Sequence, residues 1–375
     1  KSMLVLSLLI MGTATFLIGC MPTYSTLGVL APILLVVLRF AQGIGVGGEW
    51  GGAVLMSVEH APNGKRGLYG SFPQMGVPAG LFLSTVIFAV MQSATSDAAF
   101  ESWGWRVPFL CSIVLVAVGL FIRMRIMESP AFQEVKDTGT EAPKPIVDVI
   151  KTQPRDVLIA MGMRIAENGV FYVFTVFVLA YAEDTLKLGK STMLTGVAIS
   201  AAIGLITIPL WGRLSDRMGR KPLYMAGAVF STLFAFPFFA MVDTKETVLV
   251  YLAIILGVNV GHDLMYGPQG AYYAEMFGTR VRYSGASLGY QLASVLSGGF
   301  APLIAAALLA ANNGDPTLVA IYMVVMGVIT VVSTFFARET YRDDIDEARP
   351  EERRFFREGE GEMQRPTRRA ETVSR

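Results

Sequence analysis

Charge is scarce in this chain of 375 residues: Asp, Glu, Lys and Arg make up 16% against 53% hydrophobic residues, and the mean hydropathy is +0.51. That balance excludes an ordinary soluble globular domain. Cysteine and histidine number two each, and both cysteines, Cys20 and Cys111, fall in apolar runs. A disulfide framework or a zinc site is therefore not expected. There is no phosphate-cradling Gly-rich loop followed by Lys and Ser/Thr, so ATP is not the energy source. No nucleophile and base stand at a spacing that would support an enzyme within the membrane. The first apolar run carries no convincing cleavage site, and no cleavable signal is expected. A net charge of +1 points to no nucleic-acid partner.

What the chain has instead is long apolar runs, near the roughly 20 residues a helix needs to span a bilayer. They cover Ser2 to Met21, Val29 to Met56, Tyr69 to Ser93, Val107 to Ile126 and Asp156 to Tyr181. Five more cover Thr192 to Trp211, Leu223 to Val242, Val248 to Ala271, Ser284 to Ala311 and Leu318 to Ala337. A β-barrel would show short alternating segments. The expected fold is an all-α polytopic membrane protein with about ten spans. Lys and Arg gather at Lys65 and Arg66, from Arg123 to Arg155, at Arg213 to Lys221, at Arg280 and Arg282, and from Arg338 onward. The alternate loops carry few. By the positive-inside rule the basic set, with the C-terminus, is cytoplasmic.

One stretch brings charge into an apolar run. Leu38 to Gly52 contains Arg39, Gln42, Glu49 and Trp50 together with six glycines. At about 100° per residue the four polar or amphipathic side chains share about a third of the circumference. The glycines take the rest and let neighbouring backbones approach. An ionisable residue inside a membrane is costly and usually functional, so this helix is expected to line a polar pathway.

The chain also repeats itself. Glu59 and Arg66, followed by Gly70 and Gln74, recur 216 residues later as Glu275 and Arg282, followed by Gly285 and Gln291. Two related halves are implied. At the same offset the loop Gly212-Arg-Leu-Ser-Asp216-Arg-Met-Gly219-Arg220-Lys221 would have its counterpart mostly upstream of Lys1. The first two helices of a twelve-helix pattern are accordingly expected to be missing. The divisions expected are 1–126 (four helices of one half), 127–155 (a cytoplasmic linker), 156–337 (six helices of the other half) and 338–375 (a charged, solvated tail without heptads).

The Gly-x-x-x-Asp-Arg-x-Gly-Arg-Lys loop, the internal offset and the two halves resemble the major facilitator superfamily. Within it, the glycine-rich stretch from Arg39 to Gly52, followed by Glu59 and Lys65-Arg66-Gly67, resembles the metabolite:proton symporter family, as does Glu128-Ser129-Pro130-x-Phe132. The resemblance implies two pseudo-symmetric six-helix halves, here with ten helices that correspond to the third through twelfth. It implies a monomeric, multi-pass transporter in a bacterial-type inner membrane. Transport would be symport by alternating access, with the proton as coupling ion and no other cofactor. The substrate would be a small anionic or zwitterionic metabolite: shikimate-like compounds and dicarboxylates compete with proline and betaine. A non-transporting sensor or inactive fragment that keeps the fold is the alternative.

In such transporters the first, fourth, seventh and tenth helices line the cavity. The counterparts visible here are the helix of Arg39 and Glu49, the run Asp156 to Tyr181 and the run Val248 to Ala271. The second of these places Arg164, Glu167, Asn168, Phe171 and Thr175 on one side, with Tyr172 nearby; the third places Asn259, His262, Asp263, Tyr266 and Gln269 on a shared face. Arg164 and Glu167, three apart, form either a structural pair or part of a binding site. His262 and Asp263 are either a packed pair or a proton site. Arg39 and Glu49 lie about 15 Å apart along the axis, so Glu49 is left to meet another helix or a proton. A proton carrier needs a carboxylate without a fixed cation, which favours Glu49 and Asp263 over Glu167. Arg39 and Arg164 suit a substrate carboxylate, with Tyr172, Tyr266 and Gln269 to orient the rest.

In the loop motif, Gly212 and Gly219 permit a tight turn, and Asp216 can accept from a helix N-terminus. Arg217, Arg220 and Lys221 hold the turn in the cytoplasm. With Glu59, Arg66, Glu275 and Arg282 they form either a cytoplasmic gate or a purely topological basic loop. Pro73 and Pro78 predict a kink in the third run.

Overall fold

In the computed structural model, residues 2–125, 145–278 and 281–343 are described. The motif residues Glu128 to Phe132, the linker through position 144, Arg280 and the tail from position 344 lie outside them. Among the described residues the architecture is all helical. Ten helices carry the bundle: α1 (Ser2–Cys20), α2 (Leu30–Glu59), α3 (Arg66–Ala94), α4 (Arg106–Arg125), α5 (Pro154–Leu186), α6 (Ser191–Met218), α7 (Arg220–Asp243), α8 (Thr247–Met276), α9 (Arg282–Ala311) and α10 (Thr317–Phe336). Among the described residues eight of these, α2, α3 and α5 to α10, are long and apolar enough to cross a membrane. The remaining two expected runs differ in form. α4 joins Asp97–Gly104 at a 44° bend, and α1 has a shorter apolar segment, Leu4–Cys20.

Helices α1 to α4 form one group, in which α1 packs on α2 and α4; α5 to α10 form the other, in which α10 packs on α5 and α7. The groups meet where α3 crosses α6 and α8 and where α2 crosses α8 and α9. Two of these crossings depend on glycine. A Cβ on Gly67 would stand 2.3 Å from the carbonyl oxygen of Gly212, and one on Gly270 would stand 2.6 Å from that of Gly70. No other residue fits between backbones that close.

Local irregularities then place the polar side chains. α3 divides at Met75 into Arg66–Gln74 and Gly76–Ala94, with Pro73 two residues before the break. Wide π-type turns run through Val173–Phe177 of α5 and Leu256–His262 of α8. The second one delivers Asn259 and His262 to the same side as Asp263, the residue at which regular winding resumes. α5 and α8 are the most buried spans of the bundle.

The start of the tail departs from the expected solvated extension. Thr340 is fully buried, and Glu339 accepts hydrogen bonds from the backbone N–H groups of Arg220 (2.9 Å) and Lys221 (3.0 Å) at the start of α7. Unpaired N–H groups at a helix start attract a carboxylate, and that pull outweighs solvation of a short charged segment.

The Gly67 crossing is open to test with a reporter thiol at the buried Ser71. In a chain carrying Cys20→Ser, Cys111→Ser and Ser71→Cys, adding Gly67→Leu is expected to raise maleimide labelling at position 71 about tenfold, because overpacking costs about 1–3 kcal/mol. Unchanged labelling would show that the crossing tolerates a side chain.

Candidate functional site

The first turns of α5 that leave the bundle end carry Arg164, Glu167 and Asn168 inward, all buried. An arginine inside a span must find partners, and this one finds several. Its Nη1 pairs with Glu167 Oε2 and donates to Gln269 Oε1 at 3.0 Å; its Nε donates to Ser294 Oγ at 2.9 Å. The guanidinium lies over the Tyr290 ring, 3.3 Å from its centroid, and Trp50 stacks on that ring at 3.6 Å. Gln269 also donates to Glu167 Oε2 (3.1 Å) and to the Tyr224 hydroxyl (2.9 Å).

Glu167 has a second partner. Its Oε1 is 3.0 Å from His262 Nε2, while His262 Nδ1 is 2.9 Å from Asp263 Oδ1. Ionised carboxylates only accept hydrogen bonds, so with both of them ionised an imidazole between them would donate from both nitrogens, as an imidazolium. Phe171 and Tyr266 flank the ring with centroids at 4.6 and 4.7 Å. The other oxygen of Asp263 accepts from the Thr207 hydroxyl and from Asn259 Nδ2, the latter at 3.0 Å. The result is one chain of ionisable groups, Arg164–Glu167–His262–Asp263, in which basic and acidic side chains alternate. Its outer shell is neutral hydroxyls from α6, α7 and α9: Thr207 donates to Asp263, while Ser294 and Tyr224 accept from Arg164 and Gln269. In a low dielectric such mutual pairing is what makes burial of four ionisable groups tolerable.

A second charged group lies where α3 begins. Asp216 accepts the backbone N–H groups of Gly67 (2.7 Å) and Leu68 (2.9 Å) and pairs with Arg220 (2.8 Å). Arg220 also reaches Glu275 at 3.1 Å, to which Thr340 donates at 2.7 Å. Arg66 Nη1 is an ion-pair neighbour of Glu275 at 3.3 Å, and Glu59 pairs with Arg282 at 3.3 Å. These contacts join the two helix groups and close this end of the bundle.

The structure thus collects Arg164, Glu167, Asn168, His262, Asp263, Tyr266 and Gln269 into one network, and Trp50 reaches it through Tyr290. Arg39 and Gln42 stand apart from it. Arg39 is exposed and donates to Gln42, and Gln42 turns to Thr15 of α1 at 2.6 Å. Glu49 is half-buried on α2, and Tyr172 is exposed beside Phe171. At the closed end Glu59, Arg66, Asp216, Arg220, Glu275 and Arg282 are joined, Gly219 makes the turn after α6, whereas Gly212 lies within that helix and admits the Gly67 backbone instead of forming the expected turn, Lys221 donates to the Phe335 carbonyl at 2.8 Å, and Arg217 is exposed. Sequence reasoning missed Thr207, Tyr224, Tyr290, Ser294 and Glu339. Each is an ordinary residue type whose role arises only from the packing of another helix against α5, α7 or α8.

The family model described as Major Facilitator Superfamily matches residues 1–302. The chain belongs to that superfamily. The Shikimate transporter of Escherichia coli (strain K12) is 40% identical over 91% of this chain and 78% of its own length. The Inner membrane metabolite transport protein YhjE of the same strain is 37% identical over 91% and 78%, and that strain's Proline/betaine transporter 30% over 93% and 71%. Among solved structures, a double tryptophan mutant of XylE matches with a TM-score of 0.72 at 18% identity, covering 92% of this chain and 81% of that one. The proton:xylose symporter XylE bound to 6-bromo-6-deoxy-D-glucose matches with a TM-score of 0.68 at 21% identity, covering 92% and 82%. These structural likenesses show the fold. Together with the curated relatives they identify a multi-pass membrane transporter rather than an enzyme.

Arg164→Met leaves Glu167 buried with one cation fewer, whereas Arg164→Met with Glu167→Met removes both charges. The single change is expected to lower stability by about 3 kcal/mol and the double change to restore most of it. Thermal unfolding of the purified variants in detergent checks the order; a double variant no more stable than the single one would contradict it.

Proposed function

We propose that this protein carries a small carboxylate metabolite together with a proton by alternating access, with the C-terminus on the cytoplasmic side of an inner membrane. The observation that carries the reading is the placement of the His262 ring between two carboxyl groups, of which only Glu167 also holds Arg164. Without substrate the four charges balance. A substrate carboxylate that takes the planar fork of Arg164 adds a negative charge, and the balance is restored if Asp263 takes a proton. The pairing is then Arg164 with substrate and His262 with Glu167, while Asp263 is neutral.

The surroundings of Asp263 allow for that change. A protonated carboxyl must donate, and Thr207 can turn to accept because its hydroxyl has a second acceptor, the Ile203 carbonyl oxygen, at 3.2 Å. Asp263 rather than Glu49 therefore suits the proton, and Arg164 rather than Arg39 suits the anion. Similarity to the shikimate transporter favours a hydroxylated monocarboxylate. The basic loops put the Asp216–Arg220–Glu275 end in the cytoplasm. This conformation is then closed on that side. Release inward requires separation of α3 from α6 and α8, which breaks the Asp216 contacts with Gly67 and Leu68 and the Arg66–Glu275 pair.

Radiolabelled shikimate in proteoliposomes tests the reading. Symport of one proton with each anion should accumulate substrate about tenfold for each pH unit across the membrane, since one unit is about 1.4 kcal/mol. Asp263→Asn is expected to equilibrate substrate without accumulating it. Full accumulation by that variant would remove Asp263 as the carrier.

A further inference from the structure

A narrow cavity, wide enough to hold water, lies where α3, α5, α6 and α8 meet. Val77, Pro78 and Leu81 of α3, Phe171 and Thr175 of α5, and α6 from Val197 to Ile208 line it. It touches His262 and Asp263 but neither Arg164 nor Glu167, so it meets the charge chain only at its Asp263 end. Most of the wall is apolar, yet Thr175 and Ser200 stand on it beside the imidazole and the carboxylate. Four polar residues are what a buried water requires, which is two to four hydrogen-bond partners. Both hydroxyls already donate elsewhere, Thr175 to the Phe171 carbonyl at 2.7 Å and Ser200 to Asn259 Oδ1 at 3.0 Å, which leaves their oxygens as acceptors towards the space. Val77, 43% exposed, forms the rim.

We propose that this cavity is the proton's own entrance to Asp263, at the opposite end of the charge chain from the anion site at Arg164. The proposal rests on the symport reading above and adds to it a physical separation of the two cargoes. Water in the cavity hands a proton to the Asp263 carboxylate: one O–H bond forms there and one breaks on the hydronium that delivers it. Among the described residues, His262 is the one other titratable group on the cavity walls, and both its ring nitrogens already face carboxylates. α3 and α6 present none, α5 presents Glu167 only on the far side of His262 with Arg164 beyond it, and on α8 Tyr266 lies against the face of the His262 ring. α7 reaches the chain through Tyr224, which bonds Gln269 and not the imidazole. The apolar remainder of the wall keeps larger polar solutes out of the passage.

Filling the cavity tests this. Ala201→Phe occupies it from α6, and Val77→Phe occupies its rim, where a larger ring is not forced into packed structure. Two rates are measured in proteoliposomes with radiolabelled shikimate: exchange at equal pH, which needs no net proton movement, and uptake driven by a pH gradient. Both variants are expected to keep exchange within about threefold and to lose about tenfold or more of the gradient-driven rate, by analogy with blocked solvent access to a buried titrating group. Ala201→Ser, which fills little space, should keep both rates. Equal loss of both rates in the two Phe variants, with unchanged elution on gel filtration, would make the cavity part of the substrate site and overturn the proposal. Unchanged rates would also overturn it. If the parent chain itself exchanges shikimate but shows no gradient-driven uptake, the symport reading fails first.

Discussion

An ion left alone in the membrane interior costs more than any single packing contact in this fold returns, and the four charges of α5 and α8 are tolerated only because each is a partner of the next. The rest of the bundle serves that pairing. π-type turns in α5 and α8 bring their polar faces into register. Thr207 of α6 and Ser294 of α9 supply neutral hydrogen bonds from helices that carry no charge there, and Asn259 and Gln269 add others from α8 itself. Phe171 and Tyr266 hold the imidazole from its two flanks. A chain of this kind is stable in few charge states, which is the ground for proposing that one added anion brings one proton with it.

The mid-membrane chain and the closed end are mechanically joined. Trp50 donates to Gln74 Oε1 at 2.7 Å, and Gln74 donates to the Tyr266 carbonyl at 3.2 Å, one residue group away from the imidazole. Gln74 sits at the end of the same helical segment whose first N–H groups bind Asp216. A shift of that nine-residue segment therefore alters the contact with Tyr266 and the contact with Asp216 together. The stack of Trp50 on Tyr290, over the guanidinium of Arg164, adds a third link between the two helix groups. Departure of Arg164 toward a substrate would be felt in that stack. The two charged layers thus behave as parts of one device, and glycine at 67, 70, 212 and 270 lets the helices close completely between them.

Much of this could be read from the residues because charge in an apolar run is rare. Arg164, Glu167, His262 and Asp263 announce themselves by type, and the period of 3.6 places them on facing sides of two helices. The Asp216 loop is legible for the same reason. The reading of Leu38 to Gly52 as a single polar wall is where periodicity misled: winding alone groups Arg39 and Gln42 with Trp50, but they lie about 12 to 16 Å from it along the helix axis, and the two ends meet different neighbours. Gln42 meets Thr15 on α1 and Trp50 meets Tyr290 on α9. Thr207 and Glu339 were illegible for a different reason. A threonine in an apolar helix bonds its own backbone by default, and a glutamate after the last span looks like solvent-facing charge; only tertiary packing gives either a role.

The central claim is that one anion and one proton enter the site together. Calorimetric titration of shikimate into the purified protein, repeated in two buffers of different ionisation enthalpy, measures this without any membrane. The account predicts uptake of about one proton per anion bound, lost in Asp263→Asn, as linkage between binding and protonation requires. Binding with the same heat in both buffers, and hence no proton taken up, would contradict it.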